Sequence, residues 1–186
     1  MRRGRIGMVE SRVEPVSELP APVPASIDPL EFRGVLGHFA TGVAAVTGVD
    51  AGTPVGLLVN SFTSVSLDPP LVAFCVAHTS TSWSRLRRGE RHCICFLAAD
   101  QQEQGLRLAG RGVDKFRDVD WSPSPSGLPV LDGALAWLEC AVEAEHPAGD
   151  HVIVVARVHH LARSGDDART EPLLFYRGRW TRLPGA

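Results

Sequence analysis

The sequence predicts a mainly β domain with short helices, its strands forming a closed, antiparallel, Greek-key-like barrel. Three observations carry this. Six or seven apolar, partly β-branched runs follow one another; tight Gly, Pro and Asp turns join most of them; and the helical stretches are all short. Closure also removes the exposed sheet edges that so many strands otherwise leave.

Residues 1–27 carry four arginines and then Pro15, Pro20, Pro22 and Pro24. They hold too little apolar surface to offset ordering entropy, so a flexible N-terminal tail is expected, followed by one domain over 28–186. Asp28 suits an N-cap and Pro29 the first helical position. Leu30, Phe32, Val35, Leu36 and Phe39 then recur at helical spacing, which predicts an amphipathic helix over 29–40, ended by Gly42. Runs 42–49 and 54–62 flank the turn at 50–52 and read as a hairpin. Asp68-Pro69-Pro70 forces an extended entry into a strand over 71–77. A short helix is expected over 80–88, a strand over 92–98, and a second helix over 101–110 capped by Asp100. Three prolines and Gly127 make 117–129 a loop. The longest strands are 135–146 and 151–162, and 172–178 and 179–183 close the chain.

Composition excludes several classes. With 44% hydrophobic and 22% charged residues the protein is of soluble type, and its formal charge of −2 offers no cationic field for nucleic acid or an anionic membrane. No run approaches the roughly 20 apolar residues of a membrane span, and no secretory signal is visible. Cys75, Cys93, Cys95 and Cys140 lie in apolar runs and read as small buried hydrophobes, which suits a reduced cytoplasmic protein. No GxGxxG, Walker, GxSxG or HExxH pattern occurs. His159 and His160 are adjacent in a strand and point to opposite faces, and Cys93 with Cys95 falls short of a four-ligand site, so no metal is expected.

Phe39-Ala40-Thr41-Gly42-Val43 and the run Val59-Asn60-Ser61-Phe62-Thr63-Ser64-Val65-Ser66-Leu67-Asp68-Pro69-Pro70-Leu71 resemble the flavin reductase-like family, the reductase components of two-component flavin-dependent monooxygenases. Asp114-Lys115-Phe116, Gly127-Leu128-Pro129, Ala148-Gly149-Asp150-His151 and Pro172-Leu173-Leu174-Phe175-Tyr176 follow in the family's order. The likeness spans about residues 30–182. It implies an FMN-binding split β-barrel, a homodimer with flavin near its interface, and an NAD(P)H:flavin oxidoreductase. Such an enzyme uses NADH or NADPH to reduce FMN, with FAD possible, and supplies a partner monooxygenase.

The resemblance implies cofactor contacts at Thr41, Val59, Asn60, Ser61, Phe62, Ser64, Val65, Ser66, Thr81, Ser82, Phe96, Leu97, Gln101, Lys115 and Phe116. Lys115 is the only lysine and is matched to phosphate. His151, with Tyr176, is matched to the nicotinamide, where His151 aligns the donor because hydride transfer itself needs no general base. Two positions depart from the pattern: Leu58 stands where the family often has Thr, and Cys95 where it often has Asn. They keep open a flavin-binding protein without turnover, beside an oxidase or electron-transfer protein that retains its flavin. A Cys/His metalloprotein comes last.

Overall fold

The computed structural model describes residues 26–112, 114–163 and 171–183. The expected tail over 1–27 lies almost wholly outside them. Asp28 caps α1 (Pro29–Leu36) by accepting from the Leu30 N–H at 3.0 Å. The helix stops at Gly37, five residues before the glycine expected to end it, and none of its residues is buried.

Strands β1 (Thr41–Gly42), β2 (Ala44–Asp50), β3 (Thr53–Val59), β4 (Thr63–Leu67) and β5 (Pro70–Ala77) come next, followed by α2 (Thr81–Leu86), β6 (His92–Phe96) and α3 (Gln102–Ala109). Two short strands, β7 (Trp121–Pro123) and β8 (Pro129–Leu131), precede the long hairpin of β9 (Ala136–Ala148) and β10 (His151–Arg163). The described chain closes with β11 (Leu174–Tyr176) and β12 (Arg179–Thr181). Strands β4, β7 and β8 were not expected. The Ser/Thr run of β4 lacks apolar alternation, and the prolines of β7 and β8 sit where a two-stranded ribbon tolerates them.

Seven strands form one antiparallel sheet in the order β3-β2-β6-β9-β10-β5-β4, built from three hairpins. Its concave face wraps a core of Val46, Leu57, Phe74, Ile94 and Val154, sealed by Trp83 and Leu86 of α2. The opposite face of β2 and β6 is covered too. Ala45, Cys93, Cys95 and Leu97 pack there beneath Leu108 of α3, Leu131 and Leu173. A strand buried on both faces reads as an unbroken apolar run, which is why β2 and β6 were legible. The sheet coils, but β3 and β4 remain the ends of its ladder and no described strand pair joins them. The barrel expected to be closed therefore has a seam, between β3 and β5.

Asp100 does not cap the second helix. It sits inside a 3-10 turn over 99–101, and the Gln101 side chain takes the cap by accepting from the Ala98 N–H at 2.9 Å. Glu139, fully buried on β9, accepts from Arg91 at 2.8 Å and from the hydroxyls of Ser124 and Ser126 at 2.7 Å each. This network pins the segment expected to be a loop onto the sheet.

His92 is buried beside Trp83, and neither of its ring nitrogens has a partner among the described residues. Burial pushes it from 6.5 down to about 4. The unfolded chain takes a proton near 6.5, the native state only near 4, so stability is full above pH 6.5 and falls as the pH drops to about 4. Glu139 adds a lower window. Burial alone would raise its carboxyl, but the bonds from Ser126, Ser124 and Arg91 outweigh that and hold it at about 2. Its stabilisation is present above about 4.5 and lost toward 2. Unfolding free energies from urea titrations between pH 8 and 3 should fall by up to about 1.4 kcal/mol per pH unit between 6.5 and 4. His92→Leu should flatten that limb and spare the lower one; an unchanged limb would refute the assignment.

Candidate functional site

The seam opens into a cleft of about 790 Å³, within the range of small-molecule sites. One wall is the end of β3 (Leu57, Leu58, Val59) with Asn60 and Ser61, and the other is the end of β5 (Cys75, Val76, Ala77). Thr79 to Ser82 close one side, the segment Leu108 to Gly112 with Lys115 closes another, and His151 stands at the start of β10.

Ser61 sets the width of the seam. Its hydroxyl accepts from the Cys75 N–H at 2.8 Å and donates to the Cys75 carbonyl at 3.3 Å. Those two backbone groups face away from β10, and the two-residue period of a strand turns the Ala77 N–H the same way. The Ala77 N–H thus faces the cleft, while its carbonyl accepts from the Ser80 N–H at 2.9 Å; Leu57, Leu58 and Val76 lie beside it.

α3 reaches the cleft because β3 has a glycine beneath it. A Cβ on Gly56 would meet Leu108 Cδ2 at 2.9 Å and the Phe116 ring at 3.2 Å. Lys115 Nζ donates to the Leu108 carbonyl at 2.8 Å, and burial lowers the pKa of its ammonium. Arg111, between Gly110 and Gly112, forms no ion pair with any described residue. The charged side chains lining the cleft are therefore cationic, apart from the imidazole. A smaller apolar cavity of about 270 Å³ adjoins it, sharing Leu58, Val59, Asn60 and Ala109 and lined beyond them by Val43, Phe175 and Trp180.

Seven of the expected residues meet at the cleft: Val59, Asn60, Ser61, Thr81, Ser82, Lys115 and His151. Others lie elsewhere. Ser64, Val65 and Ser66 are on β4 at the sheet's edge, with Val65 in a bulge. Phe62 packs edge-on against Phe96 at 4.9 Å, both against the concave core. Leu97 and Phe116 belong to the second core. Gln101 is buried, with its amide committed to Ala98, Gln104 and Asp132. Thr41 pairs with Phe175 across β1 and β11, and its hydroxyl is buried without a partner among the described residues. Tyr176 stacks edge-on with His38 at 6.4 Å, outside the cleft. Of the two departures only Leu58 lines the cleft; Cys95 lies in the second core, its sulfur accepting from the Leu131 N–H. Burial raises the thiols of Cys95 to about 11 and Cys140 to about 12, and that of Cys93 further, so none is poised to react. No group of residues fit to hold a metal ion occurs among those described. Thr79 and Ser80, in the hydroxyl run that opens α2, line the cleft too. Arg111 was missed, because a glycine-flanked arginine carries no period.

A coiled antiparallel sheet whose seam opens on a partly apolar cleft rimmed by Arg111 and Lys115 is suited to a small ligand that carries an anionic group. The chain belongs to the flavin reductase-like family: residues 36–184 match the model described as "Flavin reductase like domain". It is 45% identical over 158 residues to the reductase subunit HsaB of a flavin-dependent monooxygenase from Rhodococcus jostii (strain RHA1), covering 85% of this chain and 80% of that one. The FMN reductase (NADH) SmoA of Agrobacterium fabrum is 41% identical over 162 residues, 87% of this chain and 90% of that protein. The crystal structure of the NADH:FAD oxidoreductase SgcE6 of Streptomyces globisporus, in complex with NAD and FAD fragments, superposes with a TM-score of 0.78 at 38% identity, covering 87% and 99% of the two chains.

Ser61→Ala removes the clamp and leaves two backbone groups of Cys75 to water. Loss of about 1–2 kcal/mol in stability is expected, with faster amide exchange at Cys75 than at Phe74, which faces β10. Unchanged exchange at Cys75 would show that the clamp does not hold the seam.

Proposed function

We propose that the protein is an NAD(P)H:flavin oxidoreductase that passes hydride from a reduced nicotinamide to FMN or FAD and supplies the reduced flavin to a partner monooxygenase. The observation that carries this is the seam itself, with an open strand edge, apolar walls, two cations and an imidazole on one cleft in a chain of this family. The names of its relatives support NADH as donor and both flavins as acceptors. HsaB, named as a monooxygenase reductase subunit, supports the oxygenase partner.

A bound flavin supplies a ring nitrogen, N5, that takes the hydride, and a rim on which negative charge then develops. The chain supplies the rest. Leu57, Leu58 and Val76 exclude water from the ring faces, and the seam backbone with the Asn60 amide serves the rim. Arg111 and Lys115, with the hydroxyls of Thr79, Thr81 and Ser82, hold the phosphate of the tail. His151 aligns the nicotinamide. The four described cysteines are all unpaired, which suits a reducing cytoplasm. No described helix is long and apolar enough to cross a membrane.

We assign the working form to a homodimer. The apolar stripe of α1 faces solvent, with Phe32 52%, Val35 66% and Leu36 55% exposed. A helix with such a stripe needs a covering surface. Its anchor, a 2.8 Å bond from the Arg177 N–H to the Gly37 carbonyl, leaves that stripe outward. Phe32→Asp with Leu36→Glu should give a monomer by sedimentation equilibrium, and an unaltered mass would remove α1 from the interface.

A steady-state assay crossing NADH and NADPH with FMN, FAD and riboflavin tests the activity. Turnover is expected, and its absence with every pair would defeat the proposal. Flavin uptake without nicotinamide oxidation would select a flavin carrier, and protein still yellow after gel filtration would select a bound prosthetic group. Arg111→Ala should raise KM for FMN about tenfold while leaving riboflavin, which lacks the phosphate, unchanged.

A further inference from the structure

Asp150 and His151 form a contact that stability does not account for. Their side chains are 92% and 44% exposed, and a pair so well solvated contributes little to folding. Yet the geometry is tight: His151 Nδ1 lies 2.6 Å from Asp150 Oδ1. The pair is also held in place. Gly149, at φ +65°, opens the two-residue turn between β9 and β10, and the Asp150 carbonyl accepts from the His78 N–H at 3.1 Å. His151 then stands opposite Ala77, on the wall of the cleft.

We infer that Asp150 is a positioning residue, whose carboxylate fixes His151 in the tautomer that offers Nε2 to the carboxamide of an incoming nicotinamide. This rests on the reductase reading. The Asp150 carboxyl is held below its ordinary value, chiefly by the hydrogen bond from His151. It is therefore ionised at neutral pH and can only accept. The proton must then sit on Nδ1, leaving Nε2 as the ring nitrogen with no hydrogen bond to the described residues. On the neutral ring Nε2 is a lone pair, which accepts from the carboxamide NH₂ and orients the pyridine ring.

Without the carboxylate, two ring flips and two tautomers compete, and about one state in four presents the required acceptor. Apparent affinity for the nicotinamide should fall by about four- to tenfold.

The first test needs no turnover. At alkaline pH and without added ligand, ¹⁵N NMR of the His151 ring should show a protonated Nδ1 and a bare Nε2. Asp150→Ala should move both shifts toward the average of the two tautomers, and Asp150→Asn, whose amide oxygen still accepts, should keep the wild-type pattern. The second test is kinetic. Asp150→Ala should raise KM for NADH about four- to tenfold with kcat and the flavin KM little changed, and Asp150→Asn should restore it. The wild type should also prefer NADH over the reduced 3-acetylpyridine analogue, which lacks the NH₂, and Asp150→Ala should lose that preference. Unchanged ring shifts in Asp150→Ala, or an equal rise in the flavin KM, would overturn the assignment. Failure of the reductase reading looks different: the wild type would oxidise no NADH with any flavin while the ring shifts still responded to Asp150.

Discussion

The cleft depends on one side chain acting as a short piece of strand. Where β4 stops pairing with β5, the hydroxyl of Ser61 takes over both backbone groups of Cys75. A sheet that coils this far has two ways to finish: pair its last strands and become solid, or gape and lose its core. Ser61 permits neither. It holds the end of β3 and β5 together at one point, and beyond that point no strand pairs with the outer edge of β5. A backbone N–H that no strand pairs is left to water or to a ligand, so the seam can be filled.

Holding a seam open requires stiffness elsewhere. Burial of β2 and β6 on both faces supplies it, as does the network of Glu139, Arg91, Ser124 and Ser126 that ties the proline-rich segment to β9. Gly56 lets α3 and Phe116 lie directly on β3, which brings Arg111 and Lys115 to the rim. The site is thus positioned mostly by residues that never touch it.

This division explains what was legible in the sequence. Strands β2, β3, β5, β6, β9 and β10 announced themselves because burial on one or both faces leaves apolar runs. β4 did not, since an edge strand with little buried surface has no such pattern. The motifs brought seven residues to the cleft and placed others in the scaffold. Ser61 was picked out as a cofactor contact, and its hydroxyl is occupied in holding β5. Phe96, Leu97 and Gln101 stand in register with family motifs because they build the scaffold. Gln101 shows the reason most clearly, since it is buried and both of its amide N–H donors are committed within the fold. Arg111 was invisible for the converse reason: an unpaired side chain on a glycine-rich loop obeys no spacing rule.

The one departure that reaches the cleft fits what a donor of reduced flavin must do. Such a protein has to bind its flavin long enough for a nicotinamide to meet it and then let go. Leu58 keeps the wall apolar at a position where the family often places a hydroxyl. One neutral hydrogen bond is worth about 0.5–1.5 kcal/mol, up to roughly tenfold in affinity. Among related complexes such differences appear chiefly in the dissociation rate. Contacts on the phosphate tail and the rim retain the ligand without gripping its faces, and where product release limits turnover a looser wall speeds the cycle. On the roles proposed above, weak holding at Leu58 and firm alignment at His151 are compatible demands, because one would govern residence of the flavin and the other the approach of the nicotinamide.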